Sequence, residues 1–184
     1  LNQKLKNPIL IVGNPRSGTT FLHRFFVKHD LAAGSQLWQM MFSSILLAKI
    51  IKPFLPFLEK ISPTRYHSSE AHKTSLQSVE TDDASLLFRY LDGFFLYGFF
   101  LAWAEKDLFH WFDPKIRDTS DRDHAWLKGL WKRSLYLNKH NRYVGKLFSA
   151  SVNISSLQNN FSDAKILYMV RDPIQVIPSG LSLV

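Results

Sequence analysis

A strand that runs directly into a glycine-containing loop and then into a helix constrains this chain more than any other feature. Residues 9–12 read Ile-Leu-Ile-Val, a continuous apolar run typical of strands buried on both faces of a parallel sheet. Residues 13–20 follow with two glycines and two threonines. From Thr19 or Thr20 the pattern becomes helical, and we expect the buried face to carry Phe21, Leu22, Phe25 and Phe26. This order predicts the start of a βαβ unit.

The C-terminal part of the chain repeats the alternation. Residues 143–145 and 166–170 are short β-rich runs, and residues 151–161 between them have the length of a helix. Two crossovers of this kind predict an α/β fold, a parallel sheet flanked by helices in a three-layer, P-loop-like arrangement. We expect residues 1–184 to form one domain that is incomplete at its C-terminus, because the last helical pattern stops without a C-cap.

Long helices are predicted for the middle of the chain. They cover residues 36–51, ended by the prolines at 53 and 56, residues from Thr81 or Asp82 to 104, and residues 123–140. Ser120 and Asp123 have the spacing of a capping box. Residues 59–80 are polar and predict a loop, and Phe94-Phe95 is expected in the core or in the lining of a pocket.

Composition excludes several classes of protein. With 184 residues, of which 46% are hydrophobic and 21% charged, the chain is neither disordered nor a coiled coil. The net charge of +8 favours anionic partners, and the absence of cysteine excludes disulfides and thiolate zinc sites and argues against a redox function. The longest apolar run, residues 93–104, is shorter than the roughly 20 residues that span a bilayer, so we expect a soluble, cytoplasmic protein.

Residues 13–20 have the spacing of a phosphate-binding loop, Gly-x-x-x-x-Gly followed by two helix-starting residues. Backbone amides of such a loop and of the helix N-terminus converge on anionic oxygens. Nucleoside triphosphatases place a lysine where this chain has Thr19, which argues against ATP or GTP hydrolysis, and the cation here is Arg16 inside the loop. The alternative is a structural turn of small residues.

Two motifs resemble those of sulfotransferases that use 3′-phosphoadenosine 5′-phosphosulfate (PAPS). Residues 15–22, Pro-Arg-Ser-Gly-Thr-Thr-Phe-Leu, resemble the family's 5′-phosphosulfate loop. Residues 168–173, Tyr-Met-Val-Arg-Asp-Pro, with Val176 and Ser179, resemble the strand and loop that hold the 3′-phosphate. The likeness is greatest to the bacterial-type branch with Arg-Ser-Gly-Thr-Thr, which tyrosylprotein sulfotransferases share. Strong matching covers residues 8–26 and 143–183.

This resemblance implies a role for each matching residue. The loop backbone and the threonine hydroxyls would bind the 5′-phosphosulfate, and Arg16 would reach the bridging oxygen, which gains charge as the S–O bond breaks. Arg171 and Ser179 would bind the 3′-phosphate, although a salt bridge from Arg171 to Asp172 or to a helix carboxylate is the structural alternative. The implied cofactor-binding residues are Arg16, Ser17, Gly18, Thr19, Thr20, Arg171 and Ser179.

The remaining catalytic residues implied are a lysine and a carboxylate. Lys146 resembles the lysine that the family places beside the transferring sulfuryl group, but Phe148 stands where many members have a catalytic histidine. Residues 79–83, Val-Glu-Thr-Asp-Asp, resemble the branch's acidic element, which makes Glu80 the first candidate for the general base. Asp82 and His72 are alternatives, and Asp82 and Asp83 could equally serve the helix dipole.

The expected reaction is in-line transfer of a sulfuryl group from PAPS to a hydroxyl or amine, with Arg16, Glu80 and Lys146 as catalytic residues and no metal. We expect a small-molecule or lipid-like acceptor and no nucleic acid, and we leave peripheral membrane contact and oligomeric state open. The alternatives are a P-loop, kinase-like enzyme and a basic module for nucleic acid or membrane surfaces. The charge motivates the second alternative together with four tryptophans, for which helical spacing favours core packing: Trp103, Trp111, Trp126 and Trp131.

Overall fold

A parallel sheet with the strand order β2-β1-β3 forms the centre of the fold. The structure is a computed structural model that describes residues 3–63 and 74–181. Strand β1 is Ile9–Gly13, β2 is Val144–Leu147 and β3 is Lys165–Met169, and β1 pairs in parallel with both of the others. The predicted α/β fold is confirmed, and the predicted strands differ from the observed ones by at most two residues at an end.

Helices connect and cover the strands. The α-helices of the described residues are α1 (Thr19–Lys28), α2 (Leu37–Met41), α3 (Ile45–Ile51), α4 (Leu55–Ile61), α5 (Asp83–Tyr90), α6 (Ser120–Asn138), α7 (Ile154–Asn160) and α8 (Pro173–Leu181). Short 3₁₀ segments occupy Lys52–Phe54, Phe109–Phe112 and Ser149–Ser151, and one π-helical turn occupies Leu96–Phe100. None of the helices in residues 3–63 and 74–181 is both long enough and apolar enough to cross a membrane.

Strand β1 is covered on both faces, as its unbroken apolar sequence predicts. Leu10 and Val12 pack in a cluster with Trp131 and Leu135 of α6, and all four are fully buried. The intervening Ile11 faces the opposite side, where Leu22 and Phe26 of α1 pack against the sheet. Helices therefore lie on the two faces of the sheet, which gives the expected three layers.

The prediction for the buried face of α1 was partly wrong. Phe21 is 77% exposed and Phe25 is 42% exposed, whereas the buried side chains are those of Thr19 and His23. The helix packs on β2 as well as β1, so the face it turns inward is rotated from the one that the phenylalanines suggest.

The single helix predicted for residues 36–51 is two helices. The amides that begin α2 bond to the chain at residues 76–78, with Leu37 donating to the Ser78 carbonyl at 3.0 Å, and the helix ends at Met41. The helical path continues past Pro53 into α4. Pro56 does not interrupt it, because this proline lies in the first turn of α4, where a missing amide costs nothing. The predicted loop therefore begins after Ile61, and residues 64–73 lie outside the described residues.

The helix predicted to run to residue 104 ends at Tyr90. Leu91 has a left-handed backbone (φ 49°), and Gly93 (φ +91°) donates its amide to the side chain of Asp92, so the chain turns before the π-helical turn begins. Helix α6 also begins earlier than predicted, at Ser120. The predicted capping box is wrong, because the Asp123 carboxylate accepts instead from the Thr119 hydroxyl at 2.8 Å.

The tryptophans do not share one environment. Trp131 is fully buried and stacks on Tyr143 with ring centroids 5.0 Å apart, which confirms core packing for that residue. Trp103 is 77% exposed and Trp111 is 43% exposed, so the expectation of core packing was wrong for these two. Both follow the early end of α5, and the helical spacing on which the expectation rested is not present there.

Candidate functional site

Each strand supplies one cation to the same edge of the sheet. Arg16 lies in the loop after β1, Lys146 lies in β2 near its end, and Arg171 follows β3 by two residues. The carboxyl ends of parallel strands meet at one edge, which is where open α/β sheets bind ligands. The topology thus collects three positive side chains that are far apart in sequence.

The loop after β1 adopts the strained backbone that its glycines permit. Gly13 has φ +142° and passes so close to β3 that an added Cβ would lie 2.5 Å from the carbonyl oxygen of Met169. Arg16 has φ +69°, a left-handed conformation that is unusual for a residue with a side chain. Such strain is typical of ligand-binding loops, where surrounding structure enforces it.

The N-terminus of α1 is ready for an anion. Gly18, with φ +92°, precedes the helix and has no side chain with which to cap it. The first-turn amides of a helix have no intrahelical acceptors, so those of α1 are available to bind oxygen atoms. The Ser17 hydroxyl donates to the Asn14 carbonyl at 2.6 Å, a hydrogen bond that closes the loop just before the helix begins.

The two predicted cofactor motifs are in direct contact. Arg16 Nε donates to Ser179 Oγ at 2.8 Å, and Arg171 Nη1 donates to the carbonyl oxygen of Arg16 at 3.1 Å. The alternative of a salt bridge from Arg171 to Asp172 is not what the structure shows, because the Asp172 carboxylate accepts from the Ile174 amide and Arg171 Nε donates to Gln175. The Arg171 side chain is exposed, as binding of an incoming phosphate requires.

Lys146 is a buried cation beside the first turn of α1. It is 2% exposed, and its Nζ donates to Thr20 Oγ1 at 3.0 Å. Burial lowers the pKa of Lys146, and the nearby carboxylates of Glu80 and Asp83 partly oppose that shift. Of the two threonines, Thr20 therefore faces the cation, whereas Thr19 is 2% exposed at the helix start.

Glu80 lies at the same edge in an ion pair. Its side chain is nearly buried, and Oε1 accepts from Arg24 Nη2 at 2.9 Å. Arg24 was missed by the sequence interpretation, although a signal for it existed: it follows Thr20 by four residues on α1, so the two share one helical face. The structure therefore brings Thr20, Arg24, Glu80 and Lys146 together.

Hydrogen-bond donors enclose the Asp82 carboxylate, which is therefore not open to an incoming substrate. It has no exposed surface, and it accepts hydrogen bonds from Trp131 Nε1 at 3.1 Å, Tyr143 Oη at 2.7 Å and the Lys146 amide at 2.9 Å. Burial raises the pKa of Asp82 to about 7, although the three donors oppose the shift. The role that this geometry supports is to hold β2 in place.

Asp83 is likewise held by backbone donors. Its carboxylate accepts from the amides of Phe148 and Ser149, at 2.6 and 3.2 Å, and so anchors the chain where it leaves β2. Asp82 and Asp83 both lie at the start of α5, but their side chains bond across to the sheet region in addition to any effect on the helix dipole. His72, the remaining candidate for the base, lies outside the described residues.

His23 is a buried histidine that sequence interpretation did not single out. It is 0% exposed, its Nε2 lies 3.2 Å from the Val144 carbonyl oxygen, and its Nδ1 has no partner among residues 3–63 and 74–181. Burial, with help from the Lys146 charge, lowers the pKa of His23 to about 3, so the ring is neutral at pH 7. Because the Val144 carbonyl oxygen can only accept, Nε2 carries the proton, and this N–H ties α1 to β2.

Comparisons with known proteins identify relatives of this chain. Residues 8–184 match the model of the sulfotransferase family. Over 186 residues the chain is 26% identical to omega-hydroxy-beta-dihydromenaquinone-9 sulfotransferase Stf3 of Mycobacterium bovis and of Mycobacterium tuberculosis, covering 96% of this chain and 45% of each relative.

A solved structure shares the fold. The crystal structure of sulfotransferase STF1 from Mycobacterium tuberculosis matches with a TM-score of 0.50 and 19% identity, over 91% of this chain and 46% of that one. The chain thus spans about half the length of the relatives it matches. Because the family model covers nearly all of it, the chain belongs to the sulfotransferase family.

Proposed function

We propose that the protein transfers a sulfuryl group from PAPS to a hydroxyl or amine of a small acceptor. The observation that carries this proposal is the convergence of Arg16, Lys146 and Arg171 at one sheet edge, beside the uncapped N-terminus of α1. Three cations and a helix N-terminus suit a donor with anionic groups at both ends of its ribose.

The residues present fit the two ends of PAPS separately. The loop from Arg16 to Thr20 would hold the 5′-phosphosulfate on backbone amides, and Arg171 with Ser179 would hold the 3′-phosphate. The hydrogen bond from Arg16 Nε to Ser179 Oγ supports an arrangement in which the two subsites adjoin. A kinase-like alternative is less well supported, because the position of the triphosphatase lysine is taken by Thr19, which is buried and uncharged.

The catalytic roles follow from where each group lies. Bound PAPS would supply a sulfuryl group attached to a phosphate oxygen. As the acceptor oxygen bonds to sulfur and the bridging S–O bond breaks, Arg16 would stabilise the charge that develops on the bridging oxygen. Lys146 would do the same at the sulfuryl oxygens, in surroundings where burial strengthens the interaction.

Glu80 would take the acceptor proton. Arg24 holds its Oε1 and so fixes the orientation of the carboxylate beside Lys146. A general base must lie within hydrogen-bond reach of the acceptor, and Glu80 is the described carboxylate of the acidic segment that is not enclosed by backbone donors.

We also propose that the acceptor is a lipid-like alcohol. Stf3, to which the chain is 26% identical, is named for an omega-hydroxylated dihydromenaquinone, a hydroxyl on a lipid-like molecule. The chain itself carries an exposed apolar side chain next to the loop, that of Phe21, which follows Thr20 on α1.

Calorimetry with 3′,5′-bisphosphoadenosine and 5′-AMP tests the donor. We expect tighter binding of the bisphosphate, and we expect Arg171→Ala to weaken it roughly 10- to 150-fold, the worth of a hydrogen bond to a charged group. Lys165→Ala is the matched control, because Lys165 is an exposed cation at the opposite end of β3. Equal affinity of the wild-type protein for both nucleotides would contradict the proposal.

A further inference from the structure

A cavity of about 330 Å³ opens beside the anion-binding loop. Pro15 of the loop forms one wall, and the segment from Phe94 to Leu108 forms the rest. The volume is in the range of small-molecule sites, and most of the lining is apolar. Two charged residues line it as well, Lys106 and Asp107, and both are exposed to solvent.

The cavity is shaped by the π-helical turn at Leu96–Phe100. Three of its residues, Tyr97, Gly98 and Phe99, line the space. π-Helical turns are rare and occur frequently at functional sites, because the extra residue in the turn disturbs regular packing. Gly98 lies between the two aromatic residues in the sequence and contributes no side chain to the lining.

Aromatic rings connect this cavity with the cation at the sheet edge. The Phe94 ring lies 5.7 Å from the Phe148 ring between centroids, and Lys146 Nζ lies 5.2 Å from the centroid of Phe148. Lys146 in turn contacts Thr20 at the start of α1. One phenylalanine therefore separates the cavity wall from the group proposed to act on the sulfuryl oxygens.

The position of Phe148 explains why an apolar ring stands two residues after the lysine. A histidine there would place a polar ring between the lysine and the cavity wall, whereas Phe148 continues the apolar surface of Phe94 up to the ammonium group. Proton transfer is then left to a group on another element.

We infer that this cavity binds the apolar part of the acceptor, an alcohol whose hydroxyl is carried on an extended apolar group, and directs that hydroxyl past Phe148 to Lys146. The inference rests on the proposed function and names the residues that select the acceptor. A sugar acceptor is disfavoured, because the walls formed by Phe94, Phe99 and Leu101 offer its hydroxyls no partners and the polar side chains of the lining are confined to Tyr97, Lys106 and Asp107.

Binding of n-decanol to the protein, followed by calorimetry, tests the inference without any turnover. Gly98→Leu places a side chain in the cavity and should weaken decanol binding at least tenfold. Ala125→Leu adds a side chain of the same kind on the exposed face of α6 and should leave it unchanged. The inference is overturned if Gly98→Leu binds decanol as tightly as the wild-type protein, or if the wild-type protein binds D-glucose and not decanol.

A second variant and a second ligand keep the outcomes distinct. Leu101→Asp puts a charge on a half-buried part of the lining and should also weaken decanol binding. If Leu101→Asp keeps full affinity for decanol, the inference is overturned, even if Gly98→Leu fails to fold. Bisphosphoadenosine affinity should be unchanged in both variants. If the wild-type protein does not bind bisphosphoadenosine, the proposed function is contradicted. If it binds bisphosphoadenosine but the two substitutions do not weaken decanol binding, only the acceptor site is contradicted.

Discussion

Arg16 combines three features that seldom occur in one residue. Its backbone is left-handed (φ +69°), its side chain donates to Ser179, and its carbonyl oxygen accepts from Arg171. A non-glycine residue in this conformation costs about 1–2 kcal/mol, so the fold bears strain at this position. We attribute the retention of an arginine there to the charge that its side chain presents to the ligand.

Replacing Arg16 should therefore separate activity from stability. If the proposed function is correct, Arg16→Ala and Arg16→Gly should both lower kcat about 10²–10³-fold, the usual worth of one charge-stabilising donor, while changing bisphosphoadenosine affinity less. Because glycine tolerates φ +69°, the Gly variant should be about 1 kcal/mol more stable than the Ala variant in urea unfolding. Wild-type turnover in either variant would mean that Arg16 has no role in the reaction.

Glu80→Gln tests the proposed base. The amide keeps the shape and can still accept from Arg24, but it does not take up a proton, so turnover should fall about 10²–10⁴-fold with bisphosphoadenosine affinity retained. Steady-state kinetics with calorimetry on the same preparation measures both. If Glu80→Gln stays active and His72→Ala is inactive, the base is His72.

Asp82→Asn serves as the contrasting variant. Its three donors require an acceptor, and an amide NH₂ would face the Lys146 amide or another donor. We therefore expect Asp82→Asn to lower the free energy of unfolding in urea, whereas Glu80→Gln should change it little.

His23 should make stability depend on pH. Its folded pKa of about 3 lies below the unfolded value of 6.5, so between these values the unfolded chain binds the extra proton and stability falls as pH falls. The loss approaches about 1.4 kcal/mol per pH unit in that window. Urea unfolding from pH 7 to pH 4 should show a steeper loss in the wild-type protein than in His23→Gln, and identical slopes would mean that the ring is not neutral in the folded state.

At the scale of secondary-structure elements, the local sequence predicted some elements and not the ends of others. Strand β1 was predictable because its apolar run is unbroken and Gly13 follows it. Helix α2 ends at Met41, where Phe42 leaves the helical backbone, and α5 ends at the left-handed residue Leu91. Neither backbone turn is visible in the spacing of apolar residues, which is why those helices were predicted to be too long.

The close approach of β1 and β3 gives a matched pair of glycine substitutions. Gly13→Ala should destabilise the protein by several kcal/mol, because its Cβ would lie 2.5 Å from the Met169 carbonyl oxygen and φ is +142°. Gly180→Ala should be neutral or stabilise by up to about 1 kcal/mol, because Gly180 lies in α8 with nothing within 4 Å of the added atom. Thermal unfolding of both variants measures the contrast, and equal melting temperatures would contradict the tight contact.

At the scale of the whole molecule, the topology decided which site residues could be foreseen. Arg16, Lys146 and Arg171 were chosen from the resemblance to the family, and because each lies near the carboxyl end of a strand, the parallel sheet brings them to one edge. The roles of Asp82 and Asp83 depend on contacts with residues 146–149, more than sixty positions away, and the local pattern carries no sign of them. His23 was missed for the same reason, because its partner is the Val144 carbonyl, whereas Arg24 could have been found from its spacing to Thr20 on α1.

The central place of β1 has a consequence for the synthesis of the protein. Its hydrogen-bonding partners begin at Val144 and Lys165, so the strand leaves the ribosome long before either neighbour has been translated. At about 5–20 residues per second, the Ile-Leu-Ile-Val run waits about 7 to 26 seconds before translation reaches Val144, the first residue of β2. An unpaired apolar segment of this kind is prone to aggregate, and the sheet can close only after β3 has emerged.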